Sequence, residues 1–291
     1  MSCSILCLFI SFAEKIPKMK ISKILVPVDF SDISINALRY AAAFACASGA
    51  GITILHIADP DSIMNDIKGN LSPEHMIELL KAENYMKGIK TESIIKKGKV
   101  ADLILAEAEK SEAGLIVMGT QGAGTLSRNL VGTNTTKVVG KSKCPVLAIP
   151  EEASYTTVRR VVLAVDLHHR ADQVISDVVA TMKVIGAAVL LVYVDHKEIL
   201  QHQLELDKLV SEIKAKTGYE RIAGKVIKSD QFLVSIENFA LDIEADILIM
   251  ITHHRSILES LFDPSETKSF AYHTSIPLMA VPEVKTPVFF F

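Results

Sequence analysis

The chain has 291 residues, of which 49% are hydrophobic and 22% are charged, and its formal net charge is -3. This length is about twice that of one compact domain, and the apolar content excludes a disordered chain. No basic run is available to neutralise a phosphodiester backbone, so nucleic acid is not an expected partner. The four cysteines are scattered without metal-ligand spacing, which fits a reducing cytoplasm.

The amino-terminal apolar run from Ser4 to Ala13 is too short to cross a bilayer, which takes about 20 residues. It also lacks the preceding positive charge and the cleavage site of a secretory signal, so no membrane association is expected. Met19 stands directly before the first predicted strand. We therefore interpret residues 1–18 as a leader outside the fold, with translation beginning at Met19.

From Lys23 onward, short β-branched runs alternate with stretches of helical periodicity. The first run, KILVPVD, is continuously apolar, which is typical of a strand buried on both faces. A helix follows it, with apolar residues at spacings of three and four. The next predicted elements are strand GITILHIA, helix 73–87, strand IKTESIIKKG, helix 100–109, strand GLIVMG, a helix ending near Lys143 and strand PVLAIP. This alternation predicts an α/β fold with a parallel sheet covered by helices on both faces.

The second half of the chain repeats the first. KILVPVDFS returns as RVVLAVDLH, which aligns Asp29 with Asp166, and TILHIAD returns as LLVYVD, which aligns His56 with Tyr193. LIVMG and CPVLAIPE likewise return as ILIMI and IPLMAVPE. A duplicated domain follows, and the predicted boundaries are 19–152 and 153–291.

A cluster of glycines follows the fourth predicted strand: Gly119, Gly122 and Gly132, the last of which precedes Thr133. These glycines would let the backbone pass close to phosphate groups, with amides and a hydroxyl as donors at the start of the next helix. Asp29, at the end of the first strand, can accept hydrogen bonds from ribose hydroxyls. The alternative is that the glycines only relieve crowding in a turn.

The strand end VPVDFS, the segment ILHI and the glycine spacing resemble the ATP-binding subgroup of the universal stress protein family, in its tandem-domain form. The resemblance covers Lys20 to about Glu283. It implies two Rossmann-like (adenine nucleotide alpha hydrolase-like) domains, each with a five-stranded parallel sheet of order 3-2-1-4-5. A nucleotide would lie where strands one and four diverge, with the main chain of Ile57 against adenine.

The same resemblance implies ATP, ADP or AMP as the ligand, with Mg²⁺ as an optional companion. It also implies that the two domains form an intrachain pseudo-dimer, meeting along their last strands, PVLAIP and PLMAVP. A further homodimer is compatible with this arrangement.

The second copy has isoleucine, histidine and proline where the first copy has its three glycines. These residues cannot rebuild the same amide cradle, so this copy is not expected to bind ATP in the same manner. Two histidine pairs would instead lie at the ends of adjacent strands: His168 with His169, and His253 with His254. They are candidate ligands for zinc or a similar metal, whereas the arginines that follow them suit an anion. The interpretation preferred to both is that this domain holds no ligand.

The motifs of catalysis are missing from the sequence: it contains no P-loop lysine motif, no G-x-S-x-G and no H-E-x-x-H. No base or water-positioning residue can be assigned either, so efficient catalysis is not expected. Together with the cysteine usage and the glycine spacing, the resemblance therefore implies a cytoplasmic, nucleotide-binding regulatory protein of the stress response. Two alternatives stay open: a slow ATP-hydrolysing enzyme, and an interaction module that binds no nucleotide and carries a metal or anion site in its second domain.

Overall fold

The computed structural model describes residues 21–58, 71–120, 132–155, 157–252 and 275–283. Residues 1–18, Gly122, His253 and His254 lie outside the described residues. The first half contains β1 (Lys23–Pro27), α1 (Asp32–Ser48), β2 (Gly51–Ala58), α2 (Pro73–Lys81), a 3-10 turn (Asn84–Met86), β3 (Thr91–Lys97), α3 (Val100–Lys110), β4 (Leu115–Gly119), α4 (Thr133–Lys141) and β5 (Val146–Ile149). The second half contains β6 (Arg160–Ala164), α5 (Asp172–Ile185), β7 (Ala188–Asp195), α6 (Ile199–Thr217), β8 (Ile222–Lys228), α7 (Phe232–Asp242), β9 (Ile247–Thr252) and β10 (Leu278–Pro282).

The ten described strands form one continuous sheet of order β3-β2-β1-β4-β5-β10-β9-β6-β7-β8. Pairing within each half is parallel. When the strands of each half are numbered from its own first strand, both halves have the order 3-2-1-4-5. The predicted α/β fold of two tandem domains is therefore confirmed.

The two halves join where β5 and β10 pair in antiparallel fashion, with Leu278 opposite Ala148. These are the two strands expected to meet, and pairing them removes two apolar sheet edges from solvent. Helix α1 also packs against α5. Its Asn36 amide donates to the carbonyl oxygen of Ala153 at 2.7 Å, and the Tyr40 hydroxyl donates to that of Ser154 at 3.2 Å. The connecting segment is thus fixed to the first domain.

A hydrophobic layer lies on each face of the sheet and runs through both halves. One layer lies under α1, α2, α5 and α6, and the other lies under α3, α4 and α7. This two-sided burial explains why the central strands are continuously apolar. None of the helices in the described ranges combines the length and apolar character that a bilayer span needs.

The predicted helix 73–87 is shorter in the structure. Helix α2 ends at Lys81, and Glu83 adopts an extended backbone with φ -62° and ψ 144° before the 3-10 turn. An extended residue interrupts the helical hydrogen-bond ladder, so the long predicted helix is wrong beyond Lys81.

Candidate functional site

The first candidate site lies at the carboxyl edge of the sheet, between β1 and β4. These strands are adjacent and parallel, with Leu25 opposite Ile116. Their register carries Asp29 and Gly119 to the same edge. The start of α4 is held there too, because the Gly132 amide donates to the carbonyl of Thr120 at 2.6 Å. Open α/β sheets generally bind ligands in the crevice between two adjacent parallel strands whose following connections go to opposite sides of the sheet.

Asp29 is positioned by a tight turn that links β1 to α1. Its Oδ1 atom accepts hydrogen bonds from the Ser31 amide at 3.1 Å and from the Ser31 hydroxyl at 2.6 Å. Phe30, between them, has a left-handed backbone with φ 63°, which is unfavourable for a residue with a bulky side chain. The Phe30 ring packs on the imidazole of His56, with 4.7 Å between centroids, and this contact holds the turn.

Within the described ranges, the main chain of Ile57 has no partner strand on one side. The Val28 amide donates to the carbonyl of Leu55 at 2.8 Å, so the polar groups of Leu55 face β1. Main-chain groups alternate in direction along a strand, and those of Ile57 therefore face the same side. Pairing with β1 ends at Pro27 opposite Leu55, after which the chain turns into α1. An N–H and a C=O at Ile57 thus point into the crevice.

The amino terminus of α4 faces the same crevice, and no side chain of the described residues caps it. Its N-cap residue is Gly132, with φ -62° and ψ 145°. The first helical bond runs from the Thr136 amide to the Gly132 carbonyl, so the amides of residues 133–135 precede the helical ladder. The Thr135 hydroxyl donates to the carbonyl of Gly119 at 3.0 Å and ties the helix to β4. Such a terminus attracts anions.

The structure therefore brings together five of the six residues predicted for the first site: Asp29, Ile57, Gly119, Gly132 and Thr133. Gly122, the sixth, lies outside the described residues. Gly132 has a φ of -62°, which any residue adopts, so the backbone conformation alone does not require glycine at this position.

The second copy keeps part of this arrangement. Asp166 Oδ1 accepts a hydrogen bond from the His168 amide at 2.8 Å, as Asp29 does from the amide two residues later. At the position of Gly119 the second copy has Ile251, whose side chain is buried. The start of the helix that would correspond to α4 lies outside the described residues.

The histidines of the second copy have separate partners. The exposed ring of His168 lies edge-on to Tyr193 and His202, at centroid distances of 6.1 and 5.8 Å. His169 Nε2 lies 3.1 Å from a Glu283 carboxylate oxygen. In the parts of the chain that the structure describes, no three potential ligands are grouped to hold a metal. Because His253 and His254 lie outside those parts, the four-histidine metal site stays a prediction.

A buried histidine and a half-buried carboxylate, which the sequence did not reveal, pair at the end of β7. His202 Nδ1 lies 2.9 Å from Asp195 Oδ2, which also accepts from the amides of Lys197 and Glu198 at 3.2 and 3.0 Å. Burial alone would raise the pKa of Asp195, but these main-chain donors and His202 hold it well below its usual range. The segment DHKE has the spacing of a helix capping box, a signal that could have located it.

Doubly wound parallel sheets, duplicated and joined edge to edge, define this chain as a tandem Rossmann-like α/β protein. The sequence profile of the universal stress protein family matches it twice, over residues 20–150 and 157–282. The chain therefore belongs to the universal stress protein family.

Individual relatives agree with this membership. A universal stress protein of Methanocaldococcus jannaschii is 32% identical over 138 residues, which are 44% of this chain and 81% of the relative. Universal stress protein YxiE of Bacillus subtilis is 30% identical over 145 residues, which cover 44% of this chain and 98% of that relative. The crystal structure of a universal stress protein from Archaeoglobus fulgidus has a TM-score of 0.66 at 20% identity, covering 92% of this chain and 98% of that one. That likeness shows the fold.

Proposed function

We propose that the first domain binds an adenine nucleotide, ATP in the first instance. We further propose that this binding regulates the protein and does not support efficient catalysis. One observation carries the proposal. The main chain of Ile57 and the start of α4, which no described residue pairs or caps, converge with the Asp29 carboxylate on one crevice of the sheet.

Each of these groups matches one part of the nucleotide. The edge of adenine presents a donor beside an acceptor, which the C=O and N–H of Ile57 complement. The Asp29 carboxylate accepts from ribose hydroxyls, as acidic residues do in other nucleotide folds. The amides at residues 133–135 and the positive end of the α4 dipole suit the phosphates. Gly119 leaves room for them because it has no side chain.

Regulation is favoured over catalysis by the bonding of the two titratable groups at this edge. Asp29 Oδ1 is engaged by Ser31, and His56 is buried with its Nδ1 atom 2.8 Å from the Val28 carbonyl oxygen. Both groups therefore hold the turn and the ribose side of the crevice, whereas a base that activates water would have to stand at the phosphates. Magnesium, when present, would be held through the phosphates, since the described residues include no grouped metal ligands.

The test is a change at the first residue of α4. Thr133→Pro removes one amide donor, and proline is well tolerated at this helical position, as it is in α2 of this chain. The preceding Gly132 already has the extended ψ of 145° that proline requires. ATP at about 100 times its dissociation constant should stabilise the wild type by about 2.7 kcal/mol. Thr133→Pro should lower ATP affinity about tenfold or more, because a hydrogen bond to a charged group is lost.

Three controls accompany this variant. Thr133→Val keeps the amide and removes only the hydroxyl, so it should lose less affinity than Thr133→Pro. Asp29→Ala should weaken ATP binding, and Asp166→Ala, its counterpart in the second copy, should leave ATP binding unchanged. Equal ATP affinity in the wild type and in Thr133→Pro would remove α4 from the site.

The two alternatives give different results in the same assays. Multiple turnovers of ADP formation by the pure protein would support the enzyme. Failure of any adenine nucleotide to bind would support the interaction module. Mass spectrometry of small molecules released from freshly purified protein would identify the nucleotide.

A further inference from the structure

The second domain keeps the base and ribose half of the first domain's crevice. The Val165 amide donates to the carbonyl of Val192 at 2.9 Å, and β6 pairs with β7 only as far as Ala164 opposite Val192. By the same alternation as in the first copy, the N–H and C=O of Val194 face the β6 side beyond the end of that strand. Val194 is thus the equivalent of Ile57, and the described residues offer it no partner strand there.

A carboxylate stands beside this unpaired main chain. Asp166 is exposed at the end of β6, and its Oδ1 is held by the His168 amide at 2.8 Å. The turn aims the carboxylate as the Asp29 turn does in the first copy, but without a left-handed residue at Leu167. A carboxylate in this position can accept hydrogen bonds from a ribose diol.

An aromatic surface borders the same edge. The exposed His168 ring rests edge-on against Tyr193 and His202, both of which are buried. His202 is in turn fixed by Asp195, whose carboxylate is anchored by main-chain amides of the following residues. The His168 ring is therefore held at a defined position, where a flat heterocycle can stack on it at little entropic cost.

In the part of the second domain that the structure describes, the phosphate half is not retained, and the charges there oppose an anion. Ile251 places a branched, buried side chain where Gly119 leaves room. Burial first, and then the negative charges of Asp195, Asp166 and Glu205, raise the pKa of Tyr193. The guanidinium of Arg170 is already paired with Asp172 and Glu212, at 2.8 and 2.6 Å. The described part of this edge therefore favours an uncharged ligand.

We propose that the second domain binds an uncharged purine nucleoside, with the base on the main chain of Val194, the ribose on Asp166 and the His168 ring stacked on the base. This site is separate from the nucleotide site of the first domain and does not depend on it. A protein with one nucleotide site and one nucleoside site would respond to the ratio of phosphorylated to free nucleoside.

The experiment is calorimetric titration of the full chain with adenosine, in the wild type, Asp29→Ala, Asp166→Ala and His168→Ala. The expected result is an adenosine site that Asp29→Ala leaves intact and that Asp166→Ala or His168→Ala weakens about tenfold or more. Both changed side chains are exposed, and Asp166→Asn, which keeps the acceptor for the His168 amide, checks that any loss is not a loss of the turn. AMP should bind this site at least about tenfold more weakly than adenosine.

The outcomes separate this proposal from the one for the first domain. Loss of all adenosine binding in Asp29→Ala, or an adenosine site that is insensitive to Asp166→Ala and His168→Ala, would overturn the second-domain site. Tighter binding of AMP than of adenosine at the Asp166-dependent site would overturn the choice of an uncharged ligand. Absence of ATP binding to the wild type would count against the first-domain proposal alone.

Discussion

Gly224 in β8 is the glycine of the second domain at which an added methyl group would meet the closest neighbouring atoms. A Cβ atom there would lie 2.8 Å from Leu206 Cγ, 3.1 Å from Leu206 Cδ2 and 3.2 Å from Val210 Cγ2. Ordinary carbon contacts are about 3.5–4.0 Å, so α6 or its side chains must move by several tenths of an ångström. Leu206 is fully buried, which leaves it little room to rotate away.

The magnitude follows from two opposing effects. Forcing an extra methyl group into a packed core costs about 1–3 kcal/mol. Replacing glycine by alanine also restricts the unfolded chain, which returns about 0.4–1 kcal/mol. The Gly224→Ala variant should therefore be less stable than the wild type by about 1–2 kcal/mol. Displacement of α6 would also weaken two hydrogen bonds of the Gln203 side-chain amide. This amide donates to the Gly224 carbonyl and accepts from the Val226 amide along β8.

Urea unfolding measures this change as a lower midpoint at an unchanged slope. Gly140→Ala is the matched control, because it makes the same substitution inside α4, where an added Cβ meets nothing within 4 Å. It should stabilise the protein by about 0.5–1 kcal/mol through helix propensity. A double-mutant cycle with Leu206→Ala should show a smaller cost of Gly224→Ala once the clashing side chain is gone. If Gly224→Ala is as stable as the wild type, or if it lowers stability equally with and without Leu206→Ala, then contact with Leu206 is not the cause of the destabilisation.

Two further predictions concern pH. Burial, followed by the charge of Asp246 and by Tyr155, raises the pKa of Tyr40 to about 12, so the stability that its neutral form contributes is present below pH 10 and is lost as pH rises towards 12. Tyr40→Phe should reduce the fall of the urea midpoint between pH 10 and 12. An equally steep fall with pH in this variant would show that Tyr40 does not cause it. The lowered pKa of Asp195 acts in the opposite direction, since the stability it contributes is present above about pH 4 and is lost on acidification through its folded-state pKa. Asp195→Asn should lower the urea midpoint at pH 7, and the difference from the wild type should shrink in acid; a constant difference would show that the carboxylate charge is not involved.

The fold was predictable from the sequence because its signals are local or repeated. Continuous apolar strands such as KILVPVD indicate two-sided burial whatever surrounds them, and the alternation with helices then requires a parallel sheet. The duplication was visible because the two copies share an aspartate at the end of the first strand. The glycine spacing after β4 likewise indicated the candidate site, since glycine lets the backbone pass close to a ligand.

The candidate site itself depended on the tertiary structure. Whether the main chain of Ile57 is paired is decided by where β1 ends beside β2, a property of two strands that no single segment encodes. The same is true of His202, whose buried position against Asp195 depends on how α6 returns over β7. The left-handed turn at Phe30 is held by a contact with His56 from the neighbouring strand. Sequence alone determined which elements form, because propensity and periodicity act over a few residues, whereas long-range packing decided which polar groups those elements leave exposed.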